Sequence, residues 1–197
     1  MYPLALDLAR VPVALAGDGP AARRRLAGLD AAGARRVTVF AEAPDPDLAA
    51  AAGVRLVRRL PTTADLAEAR LLLIAGLGDG DAAALAASAR AMGVLVNVED
   101  RKPWCDFHLP GVIRRGDLML TVSTNGRSPG LSSRIRRFLE RLFGAEWEGR
   151  VAEVAAGRAA WRAEGADMPT VARLTDDLVR DRGWLAPRQQ ETAIDRL

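Results

Sequence analysis

Residues 13–22 read Val-Ala-Leu-Ala-Gly-Asp-Gly-Pro-Ala-Ala, an apolar run that ends in Gly-x-Gly-x-x-Ala and passes directly into an Arg-rich helical pattern at Arg23–Arg25. The run is short enough to be a buried strand, the glycines call for a sharp turn, and the arginines open a helix that must pack back over the strand. Gly17 permits the tight turn, Gly19 lets another group approach the backbone, and Ala22 lets the helix lie close on its strand. The helix N-terminus then turns free N–H groups and the positive end of its dipole towards an anion. Strand, turn and helix in this order are the context that a dinucleotide pyrophosphate needs. Val37-Thr38-Val39-Phe40 supplies a second buried strand at a βαβ unit's distance, and Gly33 ends the intervening helix as its C-cap. Glu42, just beyond, has the chemistry to accept hydrogen bonds from an adenosine ribose. Asp18, in contrast, puts a negative charge beside the expected pyrophosphate.

The alternation continues through the first hundred residues. Strands are expected at Val11–Ala16, Arg36–Phe40, Arg55–Val57, Leu71–Ala75 and Val94–Val98, and helices at Ala21–Ala32, Pro46–Ala52, Thr63–Ala69 and Asp79–Met92. Buried strands alternating with helices predict an α/β fold, a Rossmann-like parallel sheet covered on both faces. Gly76-Leu77-Gly78-Asp79-Gly80 falls at the carboxyl end of a strand, where open sheets of this kind bind ligands.

Near Arg101 the pattern changes. Phe107–Ile113 and Leu118–Ser123 read as two strands joined through Arg114-Arg115-Gly116-Asp117, a hairpin-like signal. The turn-rich loop Thr124-Asn125-Gly126-Arg127-Ser128-Pro129-Gly130 follows, then a helix over Leu131–Phe143. Leu131, Ile135, Phe138, Leu139 and Leu142 make one apolar stripe on it, with the arginines mostly off the stripe. From Glu146 onward the chain reads as helical, anchored by Val151, Val154, Ala155, Trp161, Val171, Leu174, Leu178 and Val179, with Pro169 at a helix start after Asp167. The tail from Pro187 to Leu197 is polar and expected to fray.

Composition narrows the chemistry. No run approaches a membrane span, and the N-terminus lacks the basic region of a signal peptide. Cys105 is the only cysteine and His108 the only histidine, so one chain can form neither an internal disulfide nor a zinc cluster of the usual nitrogen and sulfur ligands. A cytoplasmic location follows as the expectation. His108 reads as structural, and the four tryptophans as packing or interface groups. Charge is uneven: residues 101–197 hold 17 basic against 13 acidic side chains, with a cluster at Arg127, Arg134, Arg136, Arg137 and Arg141. Arginine favours bidentate pairing with carboxylate or phosphate. Stacking aromatics do not interleave with these arginines, which argues against nucleic acid as partner.

Three motifs then stand in order: the glycine turn preceded by Tyr2-Pro3-Leu4-Ala5-Leu6-Asp7-Leu8; Val96-Asn97-Val98-Glu99-Asp100 followed by Cys105-Asp106-Phe107-His108-Leu109-Pro110; and Leu120-Thr121-Val122-Ser123-Thr124-Asn125-Gly126-Arg127-Ser128-Pro129. Together they resemble the precorrin-2 dehydrogenase/sirohydrochlorin ferrochelatase module of siroheme synthases, over nearly the whole chain. The resemblance implies an NAD-binding domain (1–103), a small α+β dimerisation and substrate-binding segment (104–145) and a helical C-terminal domain (146–197), in a homodimer. It implies NAD-dependent oxidation of precorrin-2 to sirohydrochlorin and, in many members, Fe(II) insertion to give siroheme. Carried over residue by residue, the catalytic aspartate falls on Asp100 and the substrate-loop serine on Ser128. The cofactor turn falls on Gly17, Asp18, Gly19, Pro20 and Ala21, with Glu42 and Ala43 beyond the second strand. Asp18 replaces a usual glycine, and Gly76-Leu77 stands where the family tends to have Thr-Asp or Thr-Asn beside the cofactor. Precorrin-2 carries many carboxylates, which an arginine-rich surface suits; Asn125, Arg127 and Arg134 are the further candidates to bind it. Asp100 closes the apolar run Val94–Val98, where a partly desolvated carboxylate can act as general base. A dehydrogenase without chelatase activity and a non-catalytic NAD-sensing protein are the alternatives.

Overall fold

The computed structural model describes residues 2–185. Two compact units emerge: the first runs to Leu109 and takes in Asn125–Arg127, and the second comprises Pro110–Thr124 and the chain from Ser128 onward. The expectation for the tail from Pro187 to Leu197 lies outside the described residues.

The first unit alternates strand and helix: β1 (Val13–Gly17), α1 (Gly19–Ala31), β2 (Val37–Phe40), α2 (Pro46–Ala52), β3 (Leu56–Val57), α3 (Thr63–Glu68), β4 (Leu71–Ala75), α4 (Asp79–Ala91) and β5 (Leu95–Val98). All pairings are parallel, in the order β3-β2-β1-β4-β5. This is the Rossmann-like sheet that the sequence predicts. Every residue of β1 and β4 is buried, and successive side chains serve opposite faces. Val13, Leu15, Leu71 and Leu73 pack with Leu26, Leu29 and Leu48 of α1 and α2. Ala14, Ala16, Leu72 and Ile74 pack with Leu66, Leu85 and Ala89 from α3 and α4. Fully burying a leucine contributes about 1.5–3 kcal/mol, so these two layers hold the sheet from both sides.

Local chemistry moves several boundaries. β1 starts at Val13 rather than Val11, because Pro12 has no N–H for a ladder; its carbonyl accepts from the Arg70 N–H at 2.9 Å. α1 starts at Gly19 rather than Ala21, since a proline is welcome in a first helical turn. The helix ends one residue earlier than expected, with Ala32 as its C-cap; Gly33, at φ +73°, comes next, with its N–H on the Asp30 carbonyl and that of Ala34 on the Leu29 carbonyl. Arg55 belongs to a 3-10 turn (Gly53–Arg55), leaving β3 only two residues.

The expected strand Phe107–Ile113 is shorter and begins later. Residues 105–107 instead cover the open edge of β5: Asp106 donates its N–H to the Val96 carbonyl at 2.7 Å, and its carboxylate accepts the Val96 N–H at 2.9 Å. Buried Asn97 donates to the Phe107 carbonyl at 2.9 Å. An edge strand would otherwise present these groups unpaired. Pro110, lacking an N–H, breaks the ladder, so β6 is Gly111–Arg115.

The second unit pairs β6 with the antiparallel β7 (Leu118–Val122) through the two-residue turn Gly116-Asp117. Three helices follow: α5 (Pro129–Leu142), α6 (Glu146–Ala163) and α7 (Met168–Asp181). Arg115 ties β6 to the end of α5, donating to the Phe143 and Glu140 carbonyls at 2.9 and 3.2 Å. Asp167 caps α7, accepting the Thr170 N–H at 2.9 Å, with Pro169 in the first turn as expected. The apolar stripe lies on α5 as expected but is not covered by the described residues of this chain. No residue of α5 is buried, and Leu131, Ile135, Phe138 and Leu142 stay exposed.

Candidate active site

The two glycines of the opening motif do different work. Gly17, at φ +133°, is pressed against β4: a Cβ there would sit 1.7 Å from the Ala75 carbonyl oxygen. The Asp18 N–H donates to that same carbonyl at 3.2 Å. Gly76 is the reciprocal contact, where a Cβ would meet the Asp18 carbonyl oxygen at 2.1 Å. The glycine at position 76 is therefore explained by packing between the ends of β1 and β4. Gly19, at φ +69°, has nothing within 4 Å of a Cβ position. It alone of the three leaves open space at the start of α1, the approach that a pyrophosphate requires.

Asp18 is the N-cap of α1. Its Oδ1 accepts the Gly19 N–H at 2.6 Å and the Asp45 N–H at 3.0 Å, tying the turn to the loop that follows β2. Arg23 reinforces that tie through ion pairs with Asp45 and Asp47. Glu42 and Ala43 are exposed in this loop. Pro20 has no N–H, and that of Gly19 is already engaged, so Ala21 is the remaining donor among the first three helical residues. The turn thus leaves open space at Gly19 and carries an acidic group, Asp18, directly beside it.

Next to the turn, a cavity of about 160 Å³ opens at the carboxyl ends of β4 and β5. Its lining includes Gly76, Leu77, Asp79, Glu99, Asp100 and Arg101. Gly76 and Asp100 thus share one cavity, and Gly76 in turn packs on Asp18 of the glycine turn, beside the point where strand order reverses between β1 and β4. Asp100 is exposed, so the partial desolvation expected of it is not provided by this chain alone. Its backbone stands at φ +57°. Glu99, half-buried beside it, pairs with Arg24 and Arg25 of α1 at 3.4 and 3.8 Å.

Of the remaining candidates, Asn125 and Arg127 belong to the first unit with Asp100, whereas Ser128 and Arg134 belong to the second. Ser128 caps α5, its Oγ accepting the Leu131 N–H at 3.4 Å. Thr124 braces it: Oγ1 donates to the Ser128 carbonyl at 3.0 Å and accepts the Ser128 N–H at 3.1 Å. Arg127 and Arg134 are exposed, while Arg136 pairs with Glu140 at 2.8 Å. Sequence reasoning missed Asn97, Asp106 and Thr124, whose hydrogen bonds give structural reasons for the two later motifs. It also missed the Asp79–Arg101 pair at the cavity mouth, at 2.6 Å.

Among the described residues, no group of three or more His, Cys, Asp or Glu side chains is arranged to hold a metal ion, and no helix is long and apolar enough to cross a membrane. Outside the cavity, hydrogen bonds from Arg59 and Thr62 hold the Asp65 carboxyl well below the usual carboxylate range, and the Thr62 backbone N–H donates to the same carboxylate at 2.7 Å in the capping box of α3.

Residues 4–111 match the family described as putative NAD(P)-binding, and residues 115–142 the one described as sirohaem biosynthesis protein central. Siroheme synthase 1 of Cronobacter sakazakii is 35% identical over 158 residues, 79% of this chain and 33% of that protein. The siroheme synthase of Methylococcus capsulatus is 36% identical over 157 residues, 78% and 33% of the two chains. That of Thioalkalivibrio sulfidiphilus is 32% identical over 186 residues, 93% and 36%. The chain spans about a third of the length of these relatives. A solved structure titled SirC, precorrin-2 dehydrogenase, shares the fold at a TM-score of 0.74 and 24% identity, covering 95% of this chain and 94% of that one.

Proposed function

Because the chain belongs to the putative NAD(P)-binding family and is related in sequence to siroheme synthases, we propose that it oxidises precorrin-2 to sirohydrochlorin with NAD, in the cytoplasm. The observation that carries this reading is the cavity at the ends of β4 and β5, which Asp100 lines beside the glycine turn. Bound NAD supplies the acceptor for the hydride. The open face of Gly19 admits the pyrophosphate, and Glu42 accepts from the adenosine ribose. Asp100 takes up the proton that leaves the macrocycle, its exposed carboxylate being accessible to so large a substrate. Arg127 pairs with substrate carboxylates, and Arg134, Asn125 and Ser128 are further contacts within the same proposal. Fe(II) insertion into sirohydrochlorin is a second proposed activity, with Fe(II) as substrate and Asp100 drawing off pyrrole protons.

Incubating the purified chain with precorrin-2 and NAD tests the first activity. Sirohydrochlorin absorption should rise in step with NADH. No product would remove the dehydrogenase reading, and NAD binding without product would favour a sensing protein. Adding Fe(II) to supplied sirohydrochlorin tests the chelatase separately.

Asp18→Asn should tighten NAD binding about tenfold, measured by calorimetry. The amide keeps an oxygen for the Gly19 and Asp45 N–H groups. What it removes is repulsion between two like charges, on the order of 4 kcal/mol at 4 Å in a surface-like dielectric, against which weakening of the two hydrogen bonds costs about 0.5–1.5 kcal/mol each. Weaker binding by the variant would refute an anion position beside Asp18.

We also propose a homodimer that covers α5. Phe138 is 55% exposed and Leu131 50%, and a contiguous apolar face of this kind marks an interaction surface. Phe138→Glu should convert the dimer to a monomer in light scattering; a monomeric parent chain at micromolar concentration would contradict the proposal.

A further inference from the structure

Among the described residues, only two other than glycine have a left-handed backbone, Asp100 at φ +57° and Asn125 at φ +52°. Asp and Asn enter this region more readily than other side chains, but residues held there tend to gather at functional sites, where the surroundings over-determine them. Here the surroundings are two consecutive cations. Arg101 donates through Nη1 to the Asp100 carbonyl at 3.3 Å, and through Nε and Nη2 to Asp79 Oδ1 at 3.0 and 2.6 Å. Asp79 is the first residue of α4, so Arg101 pins the Asp100 peptide to a helix end. Lys102, the only lysine in the chain, donates to the Asn125 carbonyl at 2.8 Å. The adjoining Gly126 rests on the Lys102 stem and the His108 ring: a Cβ there would lie 3.5 Å from Lys102 Cδ and 3.6 Å from His108 Cε1. One tripeptide, Asp100-Arg101-Lys102, thus contains one left-handed residue and the two cations that restrain both.

We propose that Arg101 and Lys102 are positioning residues, fixing the backbone at Asp100 and Asn125 so that the carboxylate and the loop meet substrate in one geometry. The inference rests on the dehydrogenase reading for its effect on turnover, and on the geometry alone for its effect on the backbone. Both cations are exposed, and exposed ion pairs contribute little to stability. Their loss should therefore appear as misplacement rather than unfolding. Displacement of a reacting group by an ångström can cost up to about a hundredfold in rate.

The test compares Arg101→Gln, Asp79→Asn, their double variant, Lys102→Met and Lys102→Arg with the parent chain. In Arg101→Gln and Lys102→Met, kcat should fall about ten- to a hundredfold, with the NAD dissociation constant within about twofold and the melting temperature nearly unchanged. Asp79→Asn and Arg101→Gln should not be additive, since they break one contact, and Lys102→Arg should restore most of the lost turnover. Amide exchange over residues 99–105 should quicken in both Arg101→Gln and Lys102→Met. The proposal is overturned by unchanged exchange in these two variants, by unchanged kcat against an active parent, or by loss of folding, which would make the role structural. A parent chain without turnover overturns the dehydrogenase reading instead, and exchange then decides the positioning alone.

Discussion

Asp100→Asn is expected to lower kcat for precorrin-2 oxidation by about two to four orders of magnitude, the usual worth of a positioned general base, while NAD binds as before. The substitution isolates one property. Asparagine has the same shape, tolerates the left-handed backbone that Asp100 adopts at φ +57°, and still fits the cavity wall. What it lacks is a carboxylate to receive the proton. Because Asp100 is exposed in the single chain, a dry environment for proton transfer has to be completed by what binds over it, either the macrocycle or a second copy of the chain. The loss should therefore appear in kcat and in kcat/KM alike, with KM little changed, the pattern of an interaction made only in the transition state. Single-turnover absorbance with saturating NAD provides the measurement. A variant within tenfold of the parent would show that the proton leaves by another route, through solvent or through Glu99, a half-buried carboxylate that also lines the cavity.

How much of this was legible in the sequence depends on the range of the interaction responsible. The parallel sheet could be read because Val13–Gly17 and Leu71–Ala75 are continuous apolar runs, the mark of strands buried on both faces. The Gly33 stop and the Asp167 start are local signals; the second lies where expected and the first is off by one residue, Ala32 being the cap. The Phe107 segment misleads because its extended pattern is that of a strand, whereas it is tied to Asn97 across the open edge of β5, a partner ten residues away that no periodicity reveals. Leu131, Ile135, Phe138 and Leu142 follow helical spacing correctly, but spacing does not say whether the apolar face meets the same chain or another. Asp18 is a further case. The sequence shows it only as a negative charge beside the expected anion; its capping of α1 emerges because the helix starts earlier, at Gly19, and its second bond, to the Asp45 N–H, depends on a loop brought in by the fold. The left-handed backbone at Asp100 and Asn125 has no sequence signal beyond residue type.

Gly17→Ala and Gly19→Ala should separate packing from ligand approach within one motif. At Gly17 a methyl group would lie 1.7 Å from the Ala75 carbonyl oxygen, far inside any tolerable contact. The neighbour is backbone in the middle of a parallel sheet, buried between β1 and β5, so it cannot turn aside as a side chain would. Relief requires β1 and β4 to part, which breaks the Asp18 N–H bond to Ala75 and uncovers leucines on both faces. Overpacking of this kind costs about 1–3 kcal/mol even where side chains can adjust, so about 3 kcal/mol or more is expected here, a fall in Tm of about 10 °C for a chain of this size. Gly19 has open space at its Cβ position, and its only obstacle is φ +69°, worth about 1–2 kcal/mol for an ordinary residue. Gly19→Ala should therefore fold with a smaller loss of Tm and yet bind NAD poorly, because its methyl group occupies the approach to the pyrophosphate. Calorimetric melting and NAD titration on the two variants give the comparison. Equal melting temperatures would mean that the turn is not pressed against β4, and undiminished NAD binding by Gly19→Ala would mean that the dinucleotide does not approach across that glycine.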